Sequence, residues 1–438
     1  MSPTLIGITG IVIMLLMFLT QMPVAFVMAF VGFIGFSYVI DINAGLALLS
    51  LEVYETLASY DLSTIPLFIL MGQLGFNSGI SKRLYEAGYK FLGNIRGGLA
   101  MATVSACTAF GAVCGSSPAT AATMATIGLP EMRRYNYDDE LATGSVASGG
   151  SIGMIMPPSV VLIIYGILTQ QSIGALFVAG IFPALLITLL FILCIYIRCT
   201  ISPDQGPPGE SFTWAQKLKS LLGLGETLAV FALVIVGIFV GLFTPTEAAA
   251  VGAFGVLLIA LFRRQLTWKG FVDSILETLR TSCMVMMLIV GAVILSKFLA
   301  VTRIPFEIAG WVSGLDIPAV LVMSVILIIY LIGGCFIDAL AFVTLTVPIF
   351  YPVVQQLGYD PIWFGVMIVM ITQMGVITPP IGINVYVVYG VAQTLFARTI
   401  PLEKIFKGVL PFLIALIAGV VILILFPQII LFLPRLLY

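Results

Sequence analysis

Apolar residues fall in long blocks along this chain, and the length of each block predicts its element. A helix that crosses a bilayer needs about 20 apolar residues, with roughly 17 as a floor. On that measure spans are predicted over 4–20, 24–40, 62–77, 139–165, 173–197, 226–243, 246–262, 284–300, 361–390 and 409–433. Two further stretches, 98–132 and 317–355, read as helical hairpins. Each has two apolar arms meeting at a polar break, Gly115-Ser116-Ser117-Pro118 in one and Cys335-Phe336-Ile337-Asp338 in the other. The stretches 44–61 and 78–97 hold too many polar residues to span. Their mixed character predicts amphipathic helices at the two interfaces, with counterparts near 266–283 and 301–316. The pattern is that of an all-α polytopic membrane protein, with about ten spans and two re-entrant hairpins.

A repeat runs through these blocks at an offset of 222. Pro23 matches Pro245, Glu55 matches Glu277, Gly111 matches Gly333 and Pro130 matches Pro352. The pairs Tyr137-Asp138 and Pro157-Pro158 match Tyr359-Asp360 and Pro379-Pro380, and Gly153 matches Gly375. The first copy takes in 1–197, with its hairpin over 98–132 and a broken helix over 139–165. The second takes in 226–438, with its hairpin over 317–355 and a broken helix over 361–390. The stretch 198–225, with Ser202-Pro203-Asp204 and Gly206-Pro207-Pro208-Gly209, reads as a linker.

Basic residues set the orientation. Lys82, Arg83, Lys90 and Arg96 place 78–97 in the cytoplasm, and Arg133-Arg134, Arg198, Lys217 and Lys219 mark later cytoplasmic loops. The stretch 41–61 has four acidic residues and no basic one, so it is placed outside. Five crossings separate the two hairpins, and an odd number predicts two repeats inserted upside down relative to each other. Inverted repeats with broken helices near the midplane are a secondary-transporter architecture. No Lys or Arg precedes Lys82, so the N-terminal apolar stretch is expected to belong to the mature protein.

Composition sharpens this by exclusion. Of 438 residues, 61% are apolar and 9% charged, and the mean hydropathy is +1.18. There is no histidine, which removes Ser-His-Asp catalysis, His-ligated metals and a His proton relay. Gly-Lys never occurs, so no Walker A loop is present, and a net charge of −1 gives no case for nucleic acid. The six cysteines show no C-x-x-C spacing and read as small buried residues.

The candidate chemistry lies at the breaks. Ser117 reads as an N-cap with Pro118 in first helical position, so the helix N-terminus there offers free N–H groups to a carboxylate. The plainer reading is a serine pair bonding back within a helix. Asp338 is the counterpart of Ser116, and a carboxylate at bilayer depth calls for a bound cation or a basic partner unless it lies hydrated near an interface. The two Pro-Pro sites, each preceded by Gly153 or Gly375, must break their helices, as cavity-lining unwound backbone or as simple kinks. Lys297 and Arg303 have no cationic counterpart in the first half. They read as anion-attracting or partner-docking groups, or as snorkelling anchors. Asn384, Tyr386 and Tyr389 offer polar groups in an apolar helix.

These residues resemble the large membrane (M) subunit of tripartite ATP-independent periplasmic (TRAP) transporters. The likeness is carried by the runs Gly111 to Thr120, Phe336 to Phe342, Asp360 to Phe364 and Gly375 to Tyr386. It implies an elevator-type carrier in a bacterial cytoplasmic (inner) membrane. The implied function is sodium-coupled uptake of an organic acid, such as a C4-dicarboxylate, sialic acid or another sugar acid, delivered by a soluble periplasmic binding protein. A small membrane (Q) subunit is implied as well, and is expected to be a separate polypeptide because the chain starts on its own first span. Sodium ions, with no other cofactor, would lie between each hairpin tip and its facing break. The implied ligands are Ser116, Ser117, Gly153 and Pro157 at one, and Asp338, Gly375, Thr378 and Pro380 at the other. Substrate would lie between, near Ser116, Ser117, Ser151, Arg303, Thr378 and Asn384. The alternative is a stand-alone sodium/divalent-anion symporter with no binding protein.

Overall fold

In lipid no water satisfies an exposed amide, so a chain this apolar must close its backbone hydrogen bonds within helices. The computed structural model describes residues 2–313, 317–396 and 400–437, and every regular element among them is helical. Six helices are long and apolar enough to cross a membrane, or up to eight if each bent pair forms one span. Two of the six, Ala319–Phe336 and Ala339–Gln356, lie in the second predicted hairpin stretch, and the predicted spans not covered by the other four fall on shorter helices or in the bent pairs. Pro3–Phe18 and Val24–Val39 have 16 residues each, about 24 Å of rise against a hydrocarbon core of about 30 Å.

Each polar break separates two helices. Gly98–Cys114 is followed by Ser117–Arg134, and Ala319–Phe336 by Ala339–Gln356. Both Pro-Pro segments break their helices. Asp139–Ser151 passes through a 3-10 turn, Ile152–Met154, before Val160–Thr169, and Pro361–Gly375 is separated from Ile383–Leu395. Aspartates cap the two equivalent starts. Asp138 accepts from the Glu140 amide at 3.0 Å, and Asp360 from those of Ile362 and Trp363 at 2.8 and 3.2 Å. The bounds themselves recur: Pro3–Phe18, Ser117–Arg134 and Asp139–Ser151 start 222 residues before Gly225–Phe239, Ala339–Gln356 and Pro361–Gly375.

Three of these stretches show detail that the sequence did not. The stretch 44–61 lies mostly in Ile42–Leu57, which is bent by 56° from Asp61–Asn77. The cause is local. In the polar cluster of Asp61, Ser63 and Thr64, Ser63 Oγ donates to the Tyr60 carbonyl at 2.6 Å, Thr64 Oγ1 pairs with Thr246 Oγ1, and a 3-10 turn forms over Asp61–Ser63. The proposed counterpart at 266–283 has no such cluster and runs on as part of Trp268–Val301, 34 residues and about 51 Å long. Over 78–97 the chain forms the helix Ile80–Leu92, whose Ile80, Leu84, Tyr85 and Ala87 are buried on one face. Its counterpart near 301–316 appears as Ile304–Ser313, and the end of that stretch lies outside the described residues.

The third is the linker, which is stitched down. Gly97 N donates to the Gly206 carbonyl at 2.8 Å, Gly209 N to that of Gly93 at 2.7 Å, and Asp138 N to that of Gln205 at 2.9 Å. Tyr89 and Tyr135 share a hydroxyl hydrogen bond of 2.8 Å, and the Tyr135 hydroxyl also donates to Glu210 at 3.2 Å. The bond to Tyr89, more than burial, pushes the Tyr135 hydroxyl above its usual range. The amphipathic helix Trp214–Leu222 then lies on Ile80–Leu92.

Lipid tails are as apolar as leucine, so helices here are held by close packing of small residues more than by burial from water. Asp139–Ser151 crosses Leu402–Leu425 with Gly144 and Gly408 in contact, so close that a Cβ on either would run into backbone of the other helix.

Candidate functional site at the hairpin tips

Each hairpin tip is a helix start pointed at a break. At the first, Gly115 takes φ +61°, a left-handed conformation open to glycine, and its Cα faces the Pro158 carbonyl too closely for any side chain. The helix then begins at Ser117, with Ser116 as cap in extended backbone. Ser117 is therefore the first helical residue, so the cap falls one residue earlier than predicted, and Pro118 follows without losing a bond. Ser116 Oγ makes no capping bond, and its carbonyl accepts from Thr120 Oγ1 at 2.7 Å. At the second tip Asp338 occupies the equivalent cap, and its Oδ2 accepts from the Leu340 amide at 3.0 Å. Among the described residues no Lys or Arg is ion-paired with it.

The two tips and the two breaks meet around one cavity of about 180 Å³. Its polar lining comes from Ser116, Ser117, Asp338, Gln73 and Thr281, and its apolar wall from residues such as Met154 and Val376. Asp338 is the single charged group in that lining. At roughly 30 Å³ per water the cavity has room for about six.

Behind the tips the packing is backbone to backbone. A Cβ on Gly153 would stand 2.7 Å from Thr120 Oγ1 and 3.0 Å from the Ser116 carbonyl. A Cβ on Gly375 would stand 2.5 Å from the Gly334 carbonyl. Both glycines before the prolines thus let a break lie flat on its hairpin. The first break, with Pro157 and Pro158, is buried, whereas Pro379 and Pro380 are exposed. Both Pro-Pro peptide bonds are cis.

Two hydrogen-bonded links tie the halves together at this depth. Ser117 Oγ donates to Asn384 Oδ1 at 2.9 Å, and Asn384 Nδ2 donates to the Ala147 carbonyl at 2.9 Å. Gln373 Nε2 donates to Ser151 Oγ at 3.0 Å, which in turn donates to the Ser148 carbonyl at 2.6 Å. Ser151, Gln373 and Asn384 are fully buried. Ser151 and Gln373 are 222 residues apart, so equivalent positions of the two halves touch each other.

Tests of relatedness place the chain. The profile of the family described as the tripartite ATP-independent periplasmic transporter, DctM component, matches residues 11–429. The chain belongs to this family. The C4-dicarboxylate TRAP transporter large permease protein DctM of Pseudomonas aeruginosa is 35% identical over 390 residues, covering 88% of this chain and 89% of that one. The sialic acid TRAP transporter large permease protein SiaM of Vibrio cholerae is 33% identical over 418 residues, with 95% of each chain covered. Such relatives are named as transporter permeases, not as enzymes. In fold the chain is similar to the crystal structure of the Alcanivorax borkumensis YdaH transporter, with a TM-score of 0.60, 15% identity and 98% of each chain covered.

In this TRAP large permease, Ser116, Ser117 and Asp338 line the cavity together. Gly153, Pro157, Gly375, Thr378 and Pro380 form the breaks, outside the cavity lining. Thr378 Oγ1 is turned to the Met374 carbonyl at 2.7 Å. Ser151 and Asn384 stand behind the tips as cross-links between halves. Arg303 does not join them. It is exposed, with φ +59°, just past the end of Trp268–Val301. Lys297 is paired with Glu52 at 2.8 Å and lines a different cavity. Gln73, Thr281 and Gln373 went unread in the sequence. Gln373 carried a usable signal, being a polar residue inside an apolar span at the repeat position of Ser151.

Proposed function

We propose that this TRAP large permease carries an organic acid into the cell by sodium symport. The observation that carries this reading is the convergence of Ser116, Ser117 and Asp338 from two helix starts on one cavity. A hard alkali cation takes hydroxyl, carbonyl and carboxylate oxygens, and these are what the tips offer. Among the described residues no three of His, Cys, Asp and Glu come together, so the cation sites would be built from hydroxyl and backbone oxygens with Asp338. Sodium lies between each tip and its facing break, cargo as a coupling ion, and the carboxylate of the substrate meets the free N–H groups of the tips.

The two halves act as inverted repeats, 1–197 and 226–438, and the hairpins with their broken helices move as an elevator against the remaining helices. The recurrence of helix bounds supports the repeats, and the contact of Ser151 with Gln373 supports a local two-fold axis between them. A C4-dicarboxylate or sialic acid is the substrate class, by likeness to the relatives. A soluble periplasmic binding protein delivers it, a small membrane subunit completes the carrier, and the site of action is the bacterial inner membrane.

Reconstitution tests this. The chain, its small subunit and its binding protein are placed in proteoliposomes, with labelled succinate and N-acetylneuraminate as probes. Uptake is expected only with an inward sodium gradient and with the binding protein. Asp338→Asn is expected to raise the sodium concentration for half-maximal uptake while the protein still folds. Uptake that ignores sodium refutes the coupling.

A further inference from the structure

The polar lining of the tip cavity has two sources. Ser116, Ser117 and Asp338 come from the helix starts that the carrier reading already uses. Gln73 and Thr281 come from Thr64–Asn77 and Trp268–Val301, two helices that pack on each other and belong to neither hairpin. A side-chain bridge fixes their placement. Asn77 Nδ2 donates to Ser274 Oγ at 2.9 Å and to the Gln73 carbonyl at 3.2 Å, and Ser274 Oγ lies 3.2 Å from the same carbonyl. Ser274 is seven residues before Thr281, two helical turns, so the bridge and Thr281 share a face of Trp268–Val301.

The two side chains are free for a ligand. Both residues are partly buried, and among the described residues neither side chain is hydrogen-bonded. Thr278, in the turn before Thr281, gives its hydroxyl to the Ser274 carbonyl at 2.6 Å, whereas Thr281 keeps its own for the cavity. A carboxamide and a hydroxyl at membrane depth are costly without partners, so both call for polar groups inside the cavity. A packing role does not account for Gln73, since its repeat equivalent is Leu295, a core residue 1% exposed. Charge limits what the pair can hold. Asp338 is the one charged residue of the lining, and no Lys or Arg stands beside it there. One carboxylate of a substrate has the N–H groups of the tips and the coupling ion to face. A second carboxylate would find only the neutral Gln73 and Thr281, and a carboxylate without a cation in such a site is strongly disfavoured. Hydroxyl groups suit the pair, because a carboxamide and a threonine hydroxyl each both donate and accept.

Resting on the carrier reading above, we infer that Gln73 and Thr281 set the selectivity of the cavity for an acid with one carboxylate and neutral hydroxyl groups, the chemistry of a sugar acid, over a dicarboxylate. The tips take the carboxylate. The wall made by Thr64–Asn77 and Trp268–Val301 takes the hydroxyls, through the Gln73 carboxamide and Thr281 Oγ1, and Ile69 and Met284 on the same two helices meet the carbon chain.

The test is calorimetric titration of the complex of this chain with its small subunit, in sodium and in choline medium. The probes are three four-carbon acids: butyrate, succinate and erythronate, the last a sugar acid with three hydroxyls. The binding protein is left out, so that the selectivity measured is that of the membrane site. Erythronate is expected to bind about tenfold or more tightly than succinate or butyrate, and in sodium medium only. Gln73→Leu, which installs the residue found at the equivalent position, and Thr281→Val are each expected to lower the erythronate-to-butyrate preference about three- to tenfold. Gln73→Lys supplies the missing cation and is expected to turn the preference toward succinate, a gain that misfolding does not mimic. Sodium-dependent binding that favours succinate or butyrate in the unaltered chain overturns this inference and leaves the carrier reading standing. So does an erythronate-to-butyrate ratio that Gln73→Leu and Thr281→Val both leave unmoved. Binding that is the same in sodium and choline, or absent with all three acids, removes sodium symport and this inference with it.

Discussion

The bridge from Ser117 through Asn384 to Ala147 makes a quantitative prediction. Asn384→Leu keeps the side-chain volume roughly constant and removes both an acceptor and a donor. The Ala147 carbonyl keeps its helical bond, because its residue lies within Asp139–Ser151. Ser117 Oγ, in a residue 1% exposed, is left without its acceptor. An orphaned buried hydroxyl costs about 1–3 kcal/mol, while hydrogen bonds between membrane helices average about 0.6 and reach about 1.7 kcal/mol. The expected loss for Asn384→Leu is therefore about 1–3 kcal/mol. Its coupling to Ser117→Ala in a double-mutant cycle is expected at about 0.6–1.7 kcal/mol. Asn384→Asp is expected to be worse than Asn384→Leu, since it sets a carboxylate oxygen against the Ala147 carbonyl 2.9 Å away. Unfolding from mixed micelles with rising sodium dodecyl sulfate, followed by intrinsic tryptophan fluorescence, measures the three single variants and the double variant. A coupling below about 0.3 kcal/mol, within the additivity error of such cycles, refutes the bridge as a working contact.

Other outcomes follow from the packing and the charges. Gly375→Ala drives a methyl against the Gly334 carbonyl and is expected to cost about 1–3 kcal/mol in the same assay, whereas Gly390→Ala, with nothing within 4 Å of the new atom, is expected to be neutral or stabilising. Lys297→Met strands the nearly buried Glu52 carboxylate, so adding Glu52→Gln is expected to recover part of the lost melting temperature. Trypsin is expected to cut at Lys217 and Lys219 in inside-out vesicles and to spare them in right-side-out ones. Cutting in the opposite orientation refutes the placement of that helix in the cytoplasm.

The breaks and hairpins were legible because their cause is local. Two prolines delete donors wherever they stand, and Gly115-Ser116-Ser117-Pro118 can hardly continue a helix. Partners distant in the chain were not legible. Glu52 and Glu55 stand out over 44–61 as acidic residues, and the chain order hides that Lys297 comes back to neutralise Glu52. Arg303 drew attention as a rare cation, yet charge alone carries no address, and the residue ends up exposed beyond a helix end. Asn384 was picked out for its polarity, but Ser117 and Ala147 as its two partners became visible only once hairpin and broken helices were in place. The repeat offset was the one long-range signal available, and it would also have singled out Gln373 opposite Ser151.

The clasp of residues 205–210 on the foot of the first hairpin bears on ancestry. On the two-copy reading, a spacer between duplicated halves began as a tether with no structural duty. Here its carbonyls and amides are bonded to Gly93, Gly97 and Asp138 of the first copy. A half severed at this spacer would leave those groups without partners. The split most natural from the genetic history is thus the wrong place to divide the protein, and a return to two interchangeable half-sized subunits would first require replacing what the spacer now does.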